Sequence, residues 1–326
     1  MRPFTYQRAS DAADAVKAGG QYLAGGTTLL DLMKLDVMRP ELVVDINDLS
    51  REFGDIQYGA QGLRLGALVH MAEAAHQPDV VKNYPVIAQS LQLAASAQLR
   101  NMATLGGNVL QRTRCTYFRD TSWSHCNKRA PGSGCAALEG VNRKHAVLGT
   151  SQNCIATYAG DFGQALIALD ANVEIAGPAG VRRIAFSDLH VAPGDNPAIE
   201  TTLQLGELIT AFTVPALPFA RRSLYLKIRD RQSYEFALAS AAVVLDLDGT
   251  TVRQARIALG GVSTKPWRAR EAEERLRGKA LDMGSARAAA EAAFASATTH
   301  GQNDFKPELG RRTLVRALLA AKALEV

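Results

Sequence analysis

Apolar and polar positions follow two different periods along the chain, which predicts a protein of mixed strands and helices. Residues 63–67 alternate with period two, as expected of a strand with one buried face. Residues 80–99 carry apolar side chains at helical spacing and predict one long helix with a continuous apolar face. An alanine-rich stretch at 12–17 predicts a shorter helix that ends at two glycines. The first part of the chain is therefore predicted to interleave strands with helices.

The second half of the chain continues this mixed pattern. A glycine-bounded turn at 177–180 predicts a β-hairpin, and further strands are expected at residues 210–214, 223–229 and 252–259. A long apolar stretch covers residues 236–247. Helical spacing returns at residues 269–276, 285–295 and 311–323. Pro215 and Pro218 mark the best linker, so we predict one domain at 1–217 and another at 218–326.

Regular periodicity stops between residues 110 and 148. Seven lysines and arginines lie there against two acidic residues, and a turn forms around Pro131. A loop of this length in a compact domain usually has a function, and a solvated basic loop is the alternative. Strand character is predicted to resume at 153–158. Asp161 then precedes a short helix, which its side chain is expected to cap.

Composition narrows the class of protein. The 326 residues are 47% hydrophobic and 21% charged, which describes a globular chain of two or three domains with real cores. The net charge of +5 is spread along the chain without interleaved aromatics, so no nucleic-acid partner is expected. No apolar run approaches the roughly 20 residues that a membrane span needs, and we expect neither a membrane span nor a signal peptide.

Two glycine turns are candidates for phosphate binding. The first joins a short strand to a helical run and reads Ala24-Gly25-Gly26-Thr27-Thr28; the second follows the helical stretch and reads Thr104-Leu105-Gly106-Gly107-Asn108. Glycine lets the backbone approach an anion, and the first N–H groups of a helix lack internal partners. A single glycine pair is more often a simple turn. Because there are two turns with hydroxyl side chains, we interpret them as two walls of one pyrophosphate site.

All four cysteines lie in the aperiodic region and its border, at Cys115, Cys126, Cys135 and Cys154. Two disulfides are the weakest explanation, because this chain has ample core and no export signal is expected. The intervals of ten, eight and eighteen residues contain no tight zinc knuckle, whereas iron–sulfur ligation tolerates longer spacings. Spacing alone leaves an iron–sulfur cluster and zinc both open. His125 and His145 are interpreted as loop residues rather than ligands.

These strings resemble the FAD-binding subunits of the xanthine dehydrogenase and aldehyde oxidoreductase family of molybdenum hydroxylases. The first turn with Asp31-Leu32, the string Leu99 to Asn108, and Ala258-Leu259-Gly260-Gly261-Val262 carry the resemblance. It implies an α+β fold. An FAD-binding domain of the PCMH (vanillyl-alcohol oxidase-like) type would comprise two α/β subdomains, at about 1–55 and 56–217. A C-terminal α/β domain of the CO dehydrogenase flavoprotein type would follow.

The resemblance also implies FAD as cofactor and no catalytic acid or base. The FAD contacts that it implies are Leu23, Ala24, Gly25, Gly26, Thr27, Thr28, Leu29, Thr104, Gly106, Gly107, Asn108, Asp161, Ile209 and Lys227. Backbone N–H groups and threonine hydroxyls would hold the pyrophosphate. Asp161 would bind a flavin hydroxyl, and Lys227 would favour the reduced, anionic flavin.

A minority of the family carries an extra [4Fe–4S] cluster between the second glycine loop and the aspartate. Here that connection, the cysteine-rich loop 111–154, contains every cysteine. Its strings Cys115-Thr116-Tyr117-Phe118 and Cys126 to Gly140 are most similar to the flavin subunit of periplasmic aldehyde oxidoreductases. The resemblance therefore implies a [4Fe–4S] cluster bound by Cys115, Cys126, Cys135 and Cys154, with the basic side chains of the loop offsetting its charge.

The implied function is electron relay in a heterotrimer. A molybdenum-cofactor-binding large subunit would oxidise an aldehyde, a [2Fe–2S] small subunit would pass on the electrons, and FAD would deliver them to an external electron acceptor. The alternatives are the flavin subunit of a cytosolic xanthine dehydrogenase or aromatic thioester reductase type enzyme, and a zinc-bound non-catalytic scaffold. Periplasmic location through co-export with a signal-bearing partner is expected, with the cytoplasm as the alternative.

Overall fold

A computed structural model describes residues 1–326 and divides the strands among three sheets. The first sheet has three parallel strands, β1 (Thr5–Arg8), β2 (Gln21–Leu23) and β3 (Leu42–Asp45), in the order β1-β3-β2. Two helices connect them, α1 (Ala12–Ala18) and α2 (Leu29–Lys34). Asp11 caps α1 by accepting a hydrogen bond from the Asp14 N–H, and Gly19 ends it in the left-handed conformation.

The second sheet is antiparallel and has five strands in the order β4-β5-β8-β6-β7. They are β4 (Ile56–Gly59), β5 (Gly62–Gly66), β6 (Asn172–Gly177), β7 (Gly180–Ala185) and β8 (Leu208–Pro215). The β6–β7 hairpin turns at 177–180, as the glycine spacing predicted. The helices of this part are α3 (Ser50–Phe53), α4 (Met71–His76), α5 (Pro78–Asn83), α6 (Pro85–Gln92), α7 (Ala97–Met102), α8 (Leu105–Val109), α9 (Thr116–Arg119) and α10 (Phe162–Ala168).

The predicted single helix over 80–99 is wrong, because the structure divides that stretch among α5, α6 and α7. Pro85 has no N–H to donate and begins α6 rather than continuing α5. Ala95 has a φ of 49°, which breaks the path between α6 and α7. Ser96 then caps α7 by accepting a hydrogen bond from the Leu99 N–H at 3.3 Å. The apolar face belongs to α5 and α6, which pack on one core, whereas α7 buries none of its residues.

The third sheet is antiparallel with the order β12-β11-β10-β9 and lies in the C-terminal part of the chain. Its elements are β9 (Ser223–Ile228), β10 (Ala239–Asp248), β11 (Thr251–Gly260), β12 (Trp267–Arg268), α11 (Arg270–Leu276), α12 (Met283–Ala293) and α13 (Lys306–Lys322). None of the helices in the chain combines the length and apolar content that crossing a membrane requires.

Strand β10 is buried on both faces, which explains its unbroken apolar sequence. Ala242 and Val244 pack into the large core that the five-stranded sheet and its helices share. Ala241 and Val243, on the opposite face of the strand, pack into the core beneath α11, α12 and α13. The third sheet therefore forms a wall between the two main hydrophobic cores.

Candidate cofactor sites

The two glycine turns line one cavity of about 460 Å³. The first turn contributes Ala24, Gly25, Gly26, Thr27, Thr28 and Leu29, and the second contributes Thr104, Gly106 and Gly107. Ile209, at the start of β8, lines the same cavity, and so do Arg112 and Glu200. Leu23 lies just before the first turn in β2, and Asn108 is buried within α8. The sequence-predicted residues of both turns are thus brought together around one space, the dinucleotide cavity.

The first turn is shaped to hold an anion. The backbone N–H groups of Gly25 to Thr28 donate to no backbone acceptor, although they line the cavity. A Cβ on Gly25 would overlap the carbonyl oxygen of Met102, and Gly26 has a φ of 70°, so both positions require glycine. Unpartnered N–H groups next to closely packed glycines are the donors that a phosphate group needs. These residues fit the diphosphate of FAD.

The second turn offers fewer free donors than its sequence suggested. The N–H groups of Gly106 and Asn108 donate to the carbonyl oxygens of Ala67 and Thr104, both at 2.8 Å. The Gly107 N–H makes a longer bond of 3.3 Å to the Thr104 hydroxyl oxygen. The second turn therefore supplies close backbone packing, while most of the free N–H donors come from the first turn.

Asp161 and Lys227 lie together but outside the lining of this cavity. Lys227 Nζ is 2.7 Å from Asp161 Oδ2 and donates to the carbonyl oxygen of Leu93 at 3.0 Å. The Tyr225 hydroxyl donates to Asp161 Oδ1 at 2.7 Å. Burial and the nearby Asp161 carboxylate raise the pKa of Tyr225 well above its usual value. The carboxylate balances the Lys227 ammonium, so the pair contributes little net charge.

The expected capping role of Asp161 is wrong. Asp161 stands at the N-cap position of α10, but its side chain makes no hydrogen bond to the N–H groups of that helix. Both of its oxygens instead face β9, where Tyr225 and Lys227 bind them. The carboxylate thus binds side chains of a strand about sixty residues farther along the chain instead of the N–H groups of its own helix. No local pattern in the sequence reveals that partner.

The four cysteines surround a second, small cavity, here called the thiol cavity. It is lined by Cys115, Cys126, Cys135 and Cys154 together with Tyr117, Phe118, His125, Asn127, Lys128, Ala136, Ala137, Asn153 and Ala156. All four thiols are free, and Cys126 and Cys154 are buried. Cys126 and Cys135 face each other in an antiparallel bridge. No group of three or more His, Cys, Asp or Glu side chains is arranged to hold a single metal ion.

The surroundings of the thiols are mostly apolar. Burial raises the pKa of the Cys115 thiol to about 12 and that of Cys154 to about 11. His145 Nε2 lies 3.2 Å from Cys115 Sγ, and the Ala156 N–H donates to Cys154 Sγ at 3.4 Å. Metal coordination would reverse the effect of burial, since a coordinated thiol is deprotonated. The donor set is that of a thiolate-bound iron–sulfur cluster or of zinc.

The strand predicted at 153–158 is absent. Only an isolated bridge between Ser151 and Cys154 forms, and the segment after it makes irregular contacts. The Tyr158 N–H donates to the Ser263 carbonyl oxygen at 3.0 Å and its hydroxyl to that of Val109 at 3.1 Å. These long-range contacts hold the segment extended without a neighbouring strand.

Six of the seven basic side chains of the cysteine loop pair with carboxylates outside the loop, whereas Arg129 donates to carbonyl oxygens within it. Arg112 and Lys128 bind Glu200, and Arg114 and Arg119 bind Asp31. Arg143 pairs with Asp230 at 2.9 Å, and Lys144 with Glu235 at 3.3 Å. The expectation that these cations chiefly offset a cluster's charge needs correction, because most are paired with carboxylates. They tie the loop to the rest of the fold.

Lys306 is a buried cation that the sequence did not single out. Its Nζ donates to the carbonyl oxygens of Lys144, His145 and Gly261, at 3.1, 2.9 and 2.6 Å. Burial, with smaller contributions from Arg143 and Lys144, lowers its pKa to about 7. Lys306 thereby fastens the end of the cysteine loop to the C-terminal part of the chain.

Comparison with known proteins agrees with this geometry. The family of FAD-binding domains in molybdopterin dehydrogenases matches residues 1–217, and the family of CO dehydrogenase flavoprotein C-terminal domains matches residues 224–323. The chain is 45% identical to the aldehyde oxidoreductase FAD-binding subunit PaoB of Escherichia coli, over 99% of both chains. It is 29% identical to the carbon monoxide dehydrogenase medium chain of Afipia carboxidovorans, over 98% of this chain and 97% of that one.

Solved structures agree as well. The fold superposes on reconstituted CO dehydrogenase from Oligotropha carboxidovorans with a TM-score of 0.77 and 26% identity, covering 99% of this chain and 98% of that one. The resemblance inferred from the two glycine strings is thus confirmed, and so are the α+β fold class and the binding of FAD by this type of domain. The chain belongs to the FAD-binding subunits of the xanthine dehydrogenase and CO dehydrogenase family of molybdenum hydroxylases, and is an oxidoreductase subunit.

Proposed function

We propose that this chain is the electron-transfer subunit of a molybdenum-dependent aldehyde oxidoreductase and that it carries a [4Fe–4S] cluster in addition to FAD. The observation that carries the proposal is the convergence of four free thiols on one cavity. The 45% identity to an aldehyde oxidoreductase FAD-binding subunit supports the aldehyde as substrate class.

Bound FAD supplies a flavin ring that accepts electrons and passes them on. In this proposal the N–H groups of Gly25 to Thr28 hold its diphosphate, and the Arg112 guanidinium, held by Glu200, offers hydrogen-bond donors from the wall of the cavity. Thr27, Thr28 and Thr104 add hydroxyl donors. A buried polar group joins the start of α10 to β9, and it consists of Asp161, Tyr225 and Lys227.

A [4Fe–4S] cluster supplies a one-electron centre when bound. Its ligands in this proposal are Cys115, Cys126, Cys135 and Cys154. The aromatic rings of Tyr117 and Phe118 line the same cavity and shield these sulfurs from water. His145 and the Ala156 N–H would hydrogen-bond two of the ligand sulfurs. The partners in this proposal are a molybdenum-cofactor-binding large subunit and a [2Fe–2S] small subunit, with an external acceptor receiving the electrons. Support for such an assembly comes from relatives that are named medium chains.

Metal analysis of the full chain tests the proposal. Protein expressed alone and purified without oxygen should contain about four iron and four acid-labile sulfide per FAD. Each Cys→Ser variant should lose most of that iron and should still bind FAD when FAD is added in excess. FAD with zinc, or FAD without metal, would contradict the cluster and leave a flavin subunit with a differently used cysteine loop.

A second candidate is the flavin subunit of a xanthine dehydrogenase or aromatic thioester reductase type enzyme. The chain is 23% identical to the putative xanthine dehydrogenase FAD-binding subunit XdhB of Escherichia coli, over 86% of this chain and 81% of that one. The purified complex with its partner subunits should oxidise aldehydes and leave purines unchanged. Turnover of xanthine without turnover of aldehydes would favour this second candidate.

We also propose that the complex works in the periplasm and that this chain is exported folded with a signal-bearing partner. The support is the similarity of the cysteine loop to periplasmic aldehyde oxidoreductases. Fractionation of cells that express all subunits should recover the chain in the periplasm only when the partner keeps its signal. Recovery in the cytoplasm under both conditions would contradict the proposal.

A further inference from the structure

Glu200 connects the two candidate cofactor sites. Arg112 Nε and Nη2 donate to Glu200 Oε1 at 3.0 and 2.8 Å, and Lys128 Nζ lies 3.2 Å from the same oxygen. Arg112 and Glu200 line the dinucleotide cavity, whereas Lys128 lines the thiol cavity. A single carboxylate oxygen therefore holds one cation from each site.

The three side chains are well shielded from water, with 24% of Arg112, 25% of Glu200 and 11% of Lys128 exposed. Charge-assisted hydrogen bonds in such surroundings are stronger than surface ion pairs. Lys128 Nζ also donates to the carbonyl oxygen of Pro197 at 3.0 Å, which fixes the segment that carries Glu200. A shift of Lys128 would therefore move both the carboxylate and the guanidinium that depends on it.

A second set of contacts joins the cysteine loop to α2, the helix that follows the first glycine turn. Leu32 of α2 packs with Phe118 and Cys126 of the cysteine loop. The Arg112 guanidinium lies over the Phe118 ring, 4.5 Å from its centre. Helix α2 begins directly after the first glycine turn. A shift of Cys126 would therefore displace that turn through Leu32, and it would displace Arg112 through Phe118.

We propose that FAD and the thiol-bound cluster strengthen each other's binding, and that Glu200 transmits this coupling through Arg112 and Lys128. The inference rests on the proposed cluster. A cluster that orders Cys126 and Lys128 also orders Arg112 at the cavity that receives the diphosphate. The second ligand then meets a site whose side chains are already fixed. Coupling between two sites is reciprocal, so each cofactor should tighten the other by the same factor.

Titration of the full chain with FAD, followed by flavin fluorescence, tests the coupling. The dissociation constant is measured on iron-loaded protein and on the same protein after anaerobic removal of iron by a chelator. Removing the cluster should weaken FAD binding by roughly tenfold in the unaltered chain, a typical size for coupled sites. In Glu200→Gln the two dissociation constants should differ by less than about twofold, because the amide lacks the charge that holds both cations.

Glu207→Gln is the matched control. Glu207 also lines the dinucleotide cavity, but it pairs with Arg182 of β7 at 2.6 Å and contacts no residue of the cysteine loop by hydrogen bond. This variant should keep the full tenfold difference. Loss of the difference in both variants would show that any change of charge in the cavity abolishes it, and would overturn the role of Glu200.

Lys128→Met provides a second reading if Glu200→Gln does not fold. It removes the cation on the side of the thiol cavity and retains both members of the Arg112–Glu200 pair, so the gain in FAD affinity from the cluster should disappear. A tenfold difference that persists in Lys128→Met or Glu200→Gln would overturn the role of Glu200 in transmitting the coupling. Equal FAD affinity of iron-loaded and iron-free protein would overturn the coupling itself, with the cluster retained. Protein that never contains iron would overturn the cluster itself.

Discussion

Lys227 and Asp161 form an ion pair, with Nζ and Oδ2 2.7 Å apart and only 1% and 5% of the two side chains exposed. The pair joins β9 of the third sheet to the start of α10. Tyr225 adds a hydrogen bond to the free carboxylate oxygen and another to Ser240, so every partner in this group is buried. A buried pair of this kind fixes one arrangement of two elements, because each charge left alone would be costly.

Lys227→Met should therefore destabilise the chain by about 3–5 kcal/mol, since Asp161 would remain buried without its cation. Urea unfolding of the full chain, followed by circular dichroism, measures the loss. Lys279→Met is the control, because Lys279 is exposed and should leave the free energy of unfolding within about 0.5 kcal/mol. Equal stability of both variants would mean that the pair contributes nothing to the fold.

The free energy of unfolding should rise with pH above pH 7 because of the buried Lys306 ammonium. Burial lowers its pKa in the folded chain to about 7, below the 10.5 of an exposed lysine, so between these values the unfolded chain binds more protons. The free energy of unfolding should increase by roughly 2 kcal/mol between pH 7 and pH 9 relative to Lys306→Met, at 1.4 kcal/mol per pKa unit. Unfolding midpoints at both pH values measure it. Parallel pH dependence in the two proteins would contradict the prediction.

Gly25→Ala should release FAD. The added Cβ would overlap the Met102 carbonyl oxygen, so the first turn must move away from α7. Its N–H groups would then no longer point at the diphosphate. We expect at least tenfold weaker FAD binding, equivalent to about 1.4 kcal/mol, measured by flavin fluorescence. At Gly59 a Cβ would meet nothing within 4 Å, so Gly59→Ala is the control and should bind FAD normally.

Phe118→Ala should weaken the fold and, if the proposed cluster is bound, iron retention. The ring is 1% exposed and packs between Leu32 and Cys126, so its removal leaves a cavity and should cost about 3–5 kcal/mol. Thermal unfolding and iron content of the same preparation measure the two effects. Phe4→Ala changes a ring that is exposed and serves as the comparison. Full iron retention in Phe118→Ala would show that the packing does not support Cys126.

Local patterns in the sequence predicted the elements that depend on near neighbours. The hairpin at 177–180, the strands β9 and β11 and the three final helices follow from turn residues and spacing, and the structure contains all of them. The family followed from the two glycine strings. The break at Pro85 could also have been predicted, since proline cannot continue a helix, but the prediction of one helix over 80–99 rested on the apolar face alone.

These local patterns could not predict contacts between segments that are distant in the sequence. Glu200 and Asp31 lie 88 residues from Arg112 and Arg119, respectively, and nothing in either local sequence identifies its partner. The same holds for Lys306, which reads as an ordinary residue at a helix start and is buried against three carbonyl groups. Asp161 looked like a helix cap because caps are local, whereas its actual partners lie on β9.

The sharing of β10 between two cores has a consequence for modular exchange. The side chains of Ala242 and Val244 complete the core of the part matched by the FAD-binding family, although they lie in the segment matched by the other family. Separating the two matched segments would expose apolar side chains of both cores to water. We therefore expect the two segments to unfold as one cooperative unit, and chimaeras that recombine relatives at this border should keep β10 together with the core that it closes.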